Sequence, residues 1–300
     1  MADTAIEEIK QHLVNKQNFL LSGGAGSGKT HTLTEVLEYL FEINPTARVA
    51  CITFTNVAAQ EIDERAPYQN LWVSTIHDFL WSIISGFQKN LQLTLSKLIQ
   101  EKTLKLNRKS ELTSNDINDE FFNDIQIRYQ DYRQIEEGIV SHDDILVLAN
   151  HMFKKYPMLR RIVKNKFHYI LVDEYQDTFF SVIEILLDFL RRDNTHSNII
   201  GFFGDSMQSI YNGRVGDLEK YCAENVVQNV VKDDNYRCSK AVIDLLNNIR
   251  NDIKQEPSGK NKRGSAKFLY TSGNAISMFQ LKQNQHFANW HFDDPKDTKE

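Results

Sequence analysis

The chain is short of several things, and each shortage removes a class of protein. Only three cysteines, Cys51, Cys222 and Cys238, stand in 300 residues. Scattered and odd in number, they form neither a disulfide framework nor a metal-ligand spacing, and they read as small buried or half-exposed thiols. No apolar run approaches the ~18–20 residues of a membrane span. The N-terminus, MADTAIEEIK, is acidic and has no apolar leader core. Cytoplasmic residence, with no membrane partner, is the expectation. Positive charge is not in excess: 35 Lys and Arg face 40 Asp and Glu, a net charge of −5. That argues against a protein that coats nucleic acid by bulk charge, although a local basic groove stays open. Two basic stretches, Lys154 to Lys166 and Lys260 to Arg263, read as solvated surface. There is no internal repeat and no low-complexity tract.

What remains is a foldable chain, 41% hydrophobic and 25% charged, long enough for one large domain or two medium ones. Apolar spacing predicts helices over 5–15, 29–41, 56–65 and from 77 to 84. Buried strands are expected at 18–22, 47–54 and 71–75. Strands alternating with helices imply a parallel sheet covered on both faces. Residues 86–140 break the rhythm: they are polar, helix-prone and without a strand pattern, and read as an inserted helical subdomain. The rhythm returns with a strand over 167–174, a helix over 180–192, a strand over 198–203 and a helix over 239–252. KQEPSGKNKRGSA (254–266) is a linker by composition. Residues beyond it read as the start of an incomplete second domain. The expected organisation is therefore an α/β unit from 1–85 and 141–253, an insert over 86–140, and a linker with a partial domain over 254–300.

Glycine is scarce as well, 13 in all, yet four stand at positions 23, 24, 26 and 28. Gly23-Gly24-Ala25-Gly26-Ser27-Gly28-Lys29-Thr30 has the spacing of a phosphate-binding loop between a strand and a helix. Bare backbone lets successive N–H groups close around phosphate oxygens, and the helix N-terminus adds its positive end. Lys29 would reach the β- and γ-phosphates of a nucleoside triphosphate, and Thr30 would hold Mg²⁺. Hydrolysis needs a further acid at a strand end and a base for water. YILVDEYQDT (169–178) supplies adjacent carboxylates: Asp173 for Mg²⁺ and Glu174 for the attacking water.

VDEYQDT together with GSGKT resembles the UvrD/PcrA/Rep family of superfamily 1 DNA helicases. ITFTNVAAQEIDER (52–65), STIHDF (74–79), SHDDILVLA (141–149), GDSMQSIY (204–211) and NYRCS (235–239) resemble further motifs of that family, in family order. The resemblance implies an α/β, RecA-like P-loop NTPase domain that uses ATP and Mg²⁺. It implies that Gln208 senses the γ-phosphate, that Arg237 reaches it across the cleft, and that Tyr236 stacks on adenine. It further implies that Phe54, Thr55, Asn56, Thr75, His77 and Tyr211 line a path for single-stranded or partly duplex DNA, with Arg214 matching a family arginine.

Several positions depart from the family pattern. His31 stands where the family has an arginine packing on adenine. Gly213 replaces an aromatic residue after the third motif. Neither Gln11 nor Gln17 has the spacing of the family's adenine-reading glutamine. The motifs of the second motor domain, with the arginine that completes the ATP site, are missing after Arg237. A second motor domain in cis, or a partner subunit, is therefore expected. Two readings follow. One is an ATP-dependent helicase or translocase motor domain, in repair, recombination, replication restart or defence. The other is a nucleotide-gated DNA-binding subunit of a larger nuclease or phage-defence complex.

Overall fold

The structure is a computed structural model, and it describes residues 4–107, 111–192, 198–209 and 218–267. In chain order the elements are α1 (Thr4–Val14), β1 (Asn18–Gly23), α2 (Lys29–Ile43), β2 (Val49–Thr53), α3 (Asn56–Arg65), β3 (Leu71–Thr75), α4 (Ile76–Ile84) and α5 (Gln88–Gln100). There follow β4 (Arg128–Tyr129), β5 (Ile139–Val140), α6 (His142–Lys155), α7 (Pro157–Lys166), β6 (Tyr169–Asp173), α8 (Phe180–Ile183) and β7 (Ile199–Gly204). The last are α9 (Glu219–Ala223), β8 (Val227–Lys232), β9 (Asp234–Asn235), α10 (Lys240–Ile249) and β10 (Glu256–Pro257).

Six strands form one sheet in the order β3-β2-β6-β7-β1-β8, every pair parallel. Successive side chains of a strand point to opposite faces, and here each face has its own core. Leu20, Ala50, Ile52, Ile170, Val172, Ile200 and Phe202 pack on α4, α6 and α7 on one face. Phe19, Leu21, Val49, Cys51, Leu171, Phe203 and Val230 pack on α1 and α2 on the other. β2 and β7 are buried throughout, and burial on both sides explains why they are almost wholly apolar. The expected α/β, RecA-like fold is the one observed.

Several elements differ from the sequence-based expectation. β8 was not expected: as an edge strand it alternates buried and exposed residues, so VQNVVK carries too little apolar signal. The helix expected over 180–192 is α-helical only at Phe180–Ile183, continues as a π-helix over Glu184–Phe189 and tightens to 3-10 at Leu190–Arg192. The segment 86–140 holds one long helix, α5, with turns, a short 3-10 helix at Ile135–Glu137 and the β4–β5 pair making up most of the rest of its described length. Its apolar residues, among them Leu91, Leu95, Ile117, Phe122 and Ile127, join the core of the α4–α6 face rather than forming their own. The acidic stretch before β6 secures this packing. Asp144 accepts from Ser141 N (2.9 Å) and Ser141 Oγ (2.8 Å), capping α6, and takes an ion pair from Arg133 Nε at 2.8 Å.

The expected linker over 254–266 is docked. β10 pairs with β9, Gln255 is buried, and Lys240 N and Ala241 N donate to Lys262 O and Arg263 O. Polar side chains that signal a linker in isolation are here spent on backbone groups of the preceding turn: Asn261 Nδ2 donates to both Asn235 O and Cys238 O at 2.8 Å.

Candidate functional site

A parallel sheet delivers the carboxyl ends of its strands to one edge, which is where open α/β sheets bind ligands. Every motif singled out in the sequence that falls in the described residues, apart from SHDDILVLA and NYRCS, leaves a strand at that edge. β1 runs into the glycine loop, β2 into Phe54, Thr55 and Asn56, β3 into Thr75 and His77, β6 into Asp173 and Glu174, and β7 into Asp205 and Gln208. The register aligns them: Ser22 pairs with Gly204, Asp173 with Phe203, and Thr53 with Thr75. Tyr211 and Arg214 lie outside the described residues.

The loop has the backbone its glycines allow. Gly26 (φ 82°) and Gly28 (φ 83°) are left-handed, and Gly28 caps α2. Lys29, the first residue of α2, is buried and folds back to donate to Gly23 O at 3.0 Å. Ser27 Oγ is buried without a hydrogen-bond partner. Thr30 follows in the first turn of α2, and His31 is exposed and faces Glu35 at 3.7 Å. Gly23, Gly24 and Ala25 complete the turn; a Cβ on Gly24 would lie 2.4 Å from Gln255 Nε2 and 2.6 Å from Arg250 Nη1.

Two carboxylates face this loop's edge of the sheet. Asp173 is buried, and its Oδ1 has no hydrogen-bond partner. Burial, then the neighbouring Glu174 charge, pushes the Asp173 carboxyl up to about 7, while Lys29 pulls the other way. Glu174 adopts a left-handed backbone (φ 48°, ψ 49°), an unusual state for a residue with a Cβ. Its Oε2 accepts from Gln176 Nε2 at 2.7 Å. The other end of that amide, Gln176 Oε1, accepts from Asp205 N at 3.1 Å. Gln176 therefore ties the β6 motif to the β7 motif, a role that sequence reading did not assign. The sole signal was its place within VDEYQDT.

Asp205 is the next junction. Its carboxylate accepts from Gln208 Nε2 (2.7 Å), Met207 N (3.2 Å), Arg250 Nη2 (2.9 Å) and Arg250 Nη1 (3.3 Å). From the far side, the docked segment grips the loop. Ala25 O accepts from Asn235 Nδ2 at 2.9 Å and from Gln255 Nε2 at 3.3 Å, and Gly26 O accepts from Tyr236 N at 2.9 Å. The Tyr236 ring lies alongside Gly28 and is half exposed, and Arg237 is exposed with its Cβ against Gly26. Arg250 and Gln255 had no functional reading in the sequence, being polar residues in a region that reads as helix end and linker, and the sole signal for Asn235 was its place within NYRCS.

The β2 and β3 exits are built differently. Thr55 Oγ1 accepts from Ala58 N at 3.2 Å and caps α3, and Asn56 is exposed in its first turn. Thr75 Oγ1 accepts from Asp78 N at 3.3 Å and donates to Asp78 Oδ2 at 2.7 Å, capping α4. Phe54 is half-buried against the core. His77 lies beside His142, centroids 4.7 Å apart, and edge-on to Phe179 at 6.1 Å.

Together, a glycine loop closing on a lysine, a buried acid with an orphaned oxygen, and a second acid beside it at one sheet edge define a P-loop protein of the α/β class. The residues fit a triphosphate with a divalent cation: the loop has the bare, left-handed backbone of a phosphate cradle, and Asp173 Oδ1 and Ser27 Oγ are buried oxygens without a hydrogen-bond partner.

The sequence profile of the AAA domain family (AAA_19) matches residues 6–214, and the chain belongs to that family, as a UvrD/PcrA-like superfamily 1 motor domain. Among curated proteins it is similar to the Gabija protein GajB of Bacillus cereus (strain HuB5-5), 28% identical over 367 residues, covering 92% of this chain and 54% of that protein. It is also similar to the ATP-dependent DNA helicase PcrA of Staphylococcus epidermidis, 27% identical over 292 residues, covering 80% of this chain and 39% of that one. The chain thus spans about half the length, or less, of these relatives. Among solved structures, the Pif1 helicase of Candida albicans matches with a TM-score of 0.45 at 15% identity, covering 84% of this chain and 44% of that one. No helix among the described residues is long and apolar enough to cross a membrane.

Proposed function

We propose that this chain is the first half of an ATP-driven motor that acts on single-stranded or partly duplex DNA. The observation that carries this reading is the meeting, at one sheet edge, of the Gly23–Thr30 loop, the Asp173–Glu174 pair and Gln208. In the bound state the loop amides and Lys29 hold the phosphates, Thr30 and Asp173 hold Mg²⁺, and Tyr236, with His31 nearby, borders the base. A bound Mg²⁺ neutralises phosphate charge and polarises the terminal phosphoryl group. Glu174 accepts the proton of the attacking water, while Gln208 and Arg237 address the terminal phosphate. Phe54 and His77 offer ring faces to unpaired bases. The α3 and α4 N-termini, capped by Thr55 and Thr75, turn positive ends toward the phosphate backbone, with Asn56 beside them. The family resemblance assigns Tyr211 and Arg214, which lie outside the described residues, to the same role.

On this reading residues 1–85 and 141–253 make the ATPase unit and 86–140 its insert. Residues 254–300 lead into a second motor domain, supplied in cis or by a partner subunit. Cleft closure between two domains is what converts hydrolysis into movement. The test is ATP turnover with and without single-stranded DNA, using Glu174→Gln as the blank. Retained nucleotide binding with turnover reduced by about 10²-fold or more in the variant supports the assignment. Loss of binding in Glu174→Gln makes Glu174 a structural residue instead.

A second reading is favoured by the similarity to GajB: a nucleotide-gated DNA-binding subunit of a larger nuclease or defence complex. It predicts nucleotide-dependent DNA affinity in this chain without unwinding.

A further inference from the structure

Arg250 was no part of the sequence-based site, yet it ends in the middle of it. It follows α10, is buried, and places its guanidinium in a two-pronged pair with Asp205 (2.9 and 3.3 Å). The same guanidinium takes Asp252 at 2.9 Å through both Nε and Nη2. Its Nη1 lies against Gly24 of the phosphate loop, 2.6 Å from where a Cβ would stand. Asp205 Oδ2 is shared: Arg250 Nη1 and Gln208 Nε2 both donate to it. Asp205 N, through Gln176, reaches Glu174.

A buried carboxylate must be compensated. Without Arg250, the amide of Gln208 and the N–H of Met207 would be the neighbours left on the Asp205 carboxylate, and Gln208 could leave only at the cost of a buried charge. With the guanidinium in place, that charge is balanced and Gln208 is dispensable to it. We propose that Arg250 is a positioning residue of the triphosphate site: it neutralises Asp205, so that the Gln208 amide is free to turn to a terminal phosphate. Arg250 thereby makes the site prefer a triphosphate to a diphosphate. This rests on the nucleotide reading given above.

The test titrates the chain with fluorescent ADP and with a fluorescent, slowly hydrolysed ATP analogue, both with Mg²⁺. The wild-type chain prefers the triphosphate. Arg250→Ala lowers that preference about tenfold while ADP affinity stays within about twofold, because Lys29 and the loop amides are intact. Arg250→Lys, which keeps the charge and loses the fork, recovers part of the preference. Equal preference in wild type and Arg250→Ala, or the same loss for both nucleotides, overturns the proposal and makes Arg250 a structural residue. Should Arg250→Ala lose its circular-dichroism signature, Arg250→Lys decides: a reduced preference supports the role and an unchanged one overturns it. Lys29→Ala separates the two readings, since it weakens both nucleotides alike. A folded wild-type chain that binds neither nucleotide overturns the nucleotide reading itself.

Discussion

The side chain of Gln176 donates to Glu174 Oε2 at 2.7 Å while Glu174 sits in a left-handed backbone state. One amide thus holds the acid proposed to take the proton of the attacking water. Replacing Gln176 by Ala frees Glu174 to rotate. We expect turnover to fall by about 10–100-fold with nucleotide affinity changed only a few-fold, as misplacement of a reacting group by an ångström does. Steady-state kinetics beside equilibrium nucleotide binding checks this; equal losses in both would assign Gln176 to folding alone.

Gly204 is where that amide comes closest to the sheet. A Cβ there would lie 2.2 Å from Gln176 Oε1 and 2.6 Å from Tyr175 Cδ1, both on buried side chains. Gly204→Ala is expected to destabilise the fold by about 1–3 kcal/mol. Urea unfolding of the two proteins measures it, and a midpoint unchanged from wild type would show that the β6 and β7 exits move apart easily.

Lys29 Nζ rests on Gly23 O at 3.0 Å, inside the loop it would serve. Lys29→Ala removes the cation that folds back onto the loop. Triphosphate affinity is expected to drop by about 10–100-fold, the scale of a hydrogen bond to a charged group. Titration with a fluorescent ATP analogue reads this directly; an affinity equal to wild type would end the phosphate-loop assignment.

Asp173 gives a pH dependence in nucleotide- and metal-free buffer. Burial first, and Glu174 second, raise its carboxyl from 3.8 to about 7 in the folded chain. Between those values the folded state holds a proton that the unfolded state has released. Stability from this group is therefore lost as pH rises through that window and is fully lost above about 7. Asp173→Asn carries no such charge. Its melting temperature should gain on wild type from pH 5 to about pH 7 in EDTA and level off above that. A constant difference across that range would contradict the assignment.

His77 and His142 lie with ring centroids 4.7 Å apart and planes tilted by 34° beside the β3 exit. If His77 meets a base, His77→Ala weakens single-stranded DNA binding by about tenfold, within the range of one lost stack. Fluorescence anisotropy with a labelled oligonucleotide checks this, with nucleotide affinity as the control that stays unchanged.

Local chemistry made much of this legible. The Gly23–Thr30 loop was readable because phosphate binding demands bare backbone, a cation and a helix start in fixed sequence. The central strands were readable because burial on both faces makes them almost wholly apolar, as in VACIT and IIGFFG. The edge strand β8 was not, because one side faces solvent and its polar residues break the run. The docking of 254–263 was hidden for a related reason: Gln255, Ser258 and Asn261 are the residues a free linker would have, and nothing local shows that they bond to Ala25, Asp234 and Asn235.

The sequence by itself determined the pieces whose chemistry is contiguous: a phosphate loop, an acid pair, a polar exit from each strand. Spacing along the chain dictates those, since each is a few residues long and owes its form to backbone freedom or charge. Tertiary structure alone decided which pieces meet. Glu174, Gln176, Asp205, Arg250 and Gly24 span more than 220 positions in sequence, yet they form one hydrogen-bonded and packed series. They are neighbours because the parallel sheet sends its strand ends to one edge and because α10 and β10 return the chain there. Buried polar groups then had to find one another, since at that depth water is not available to satisfy them.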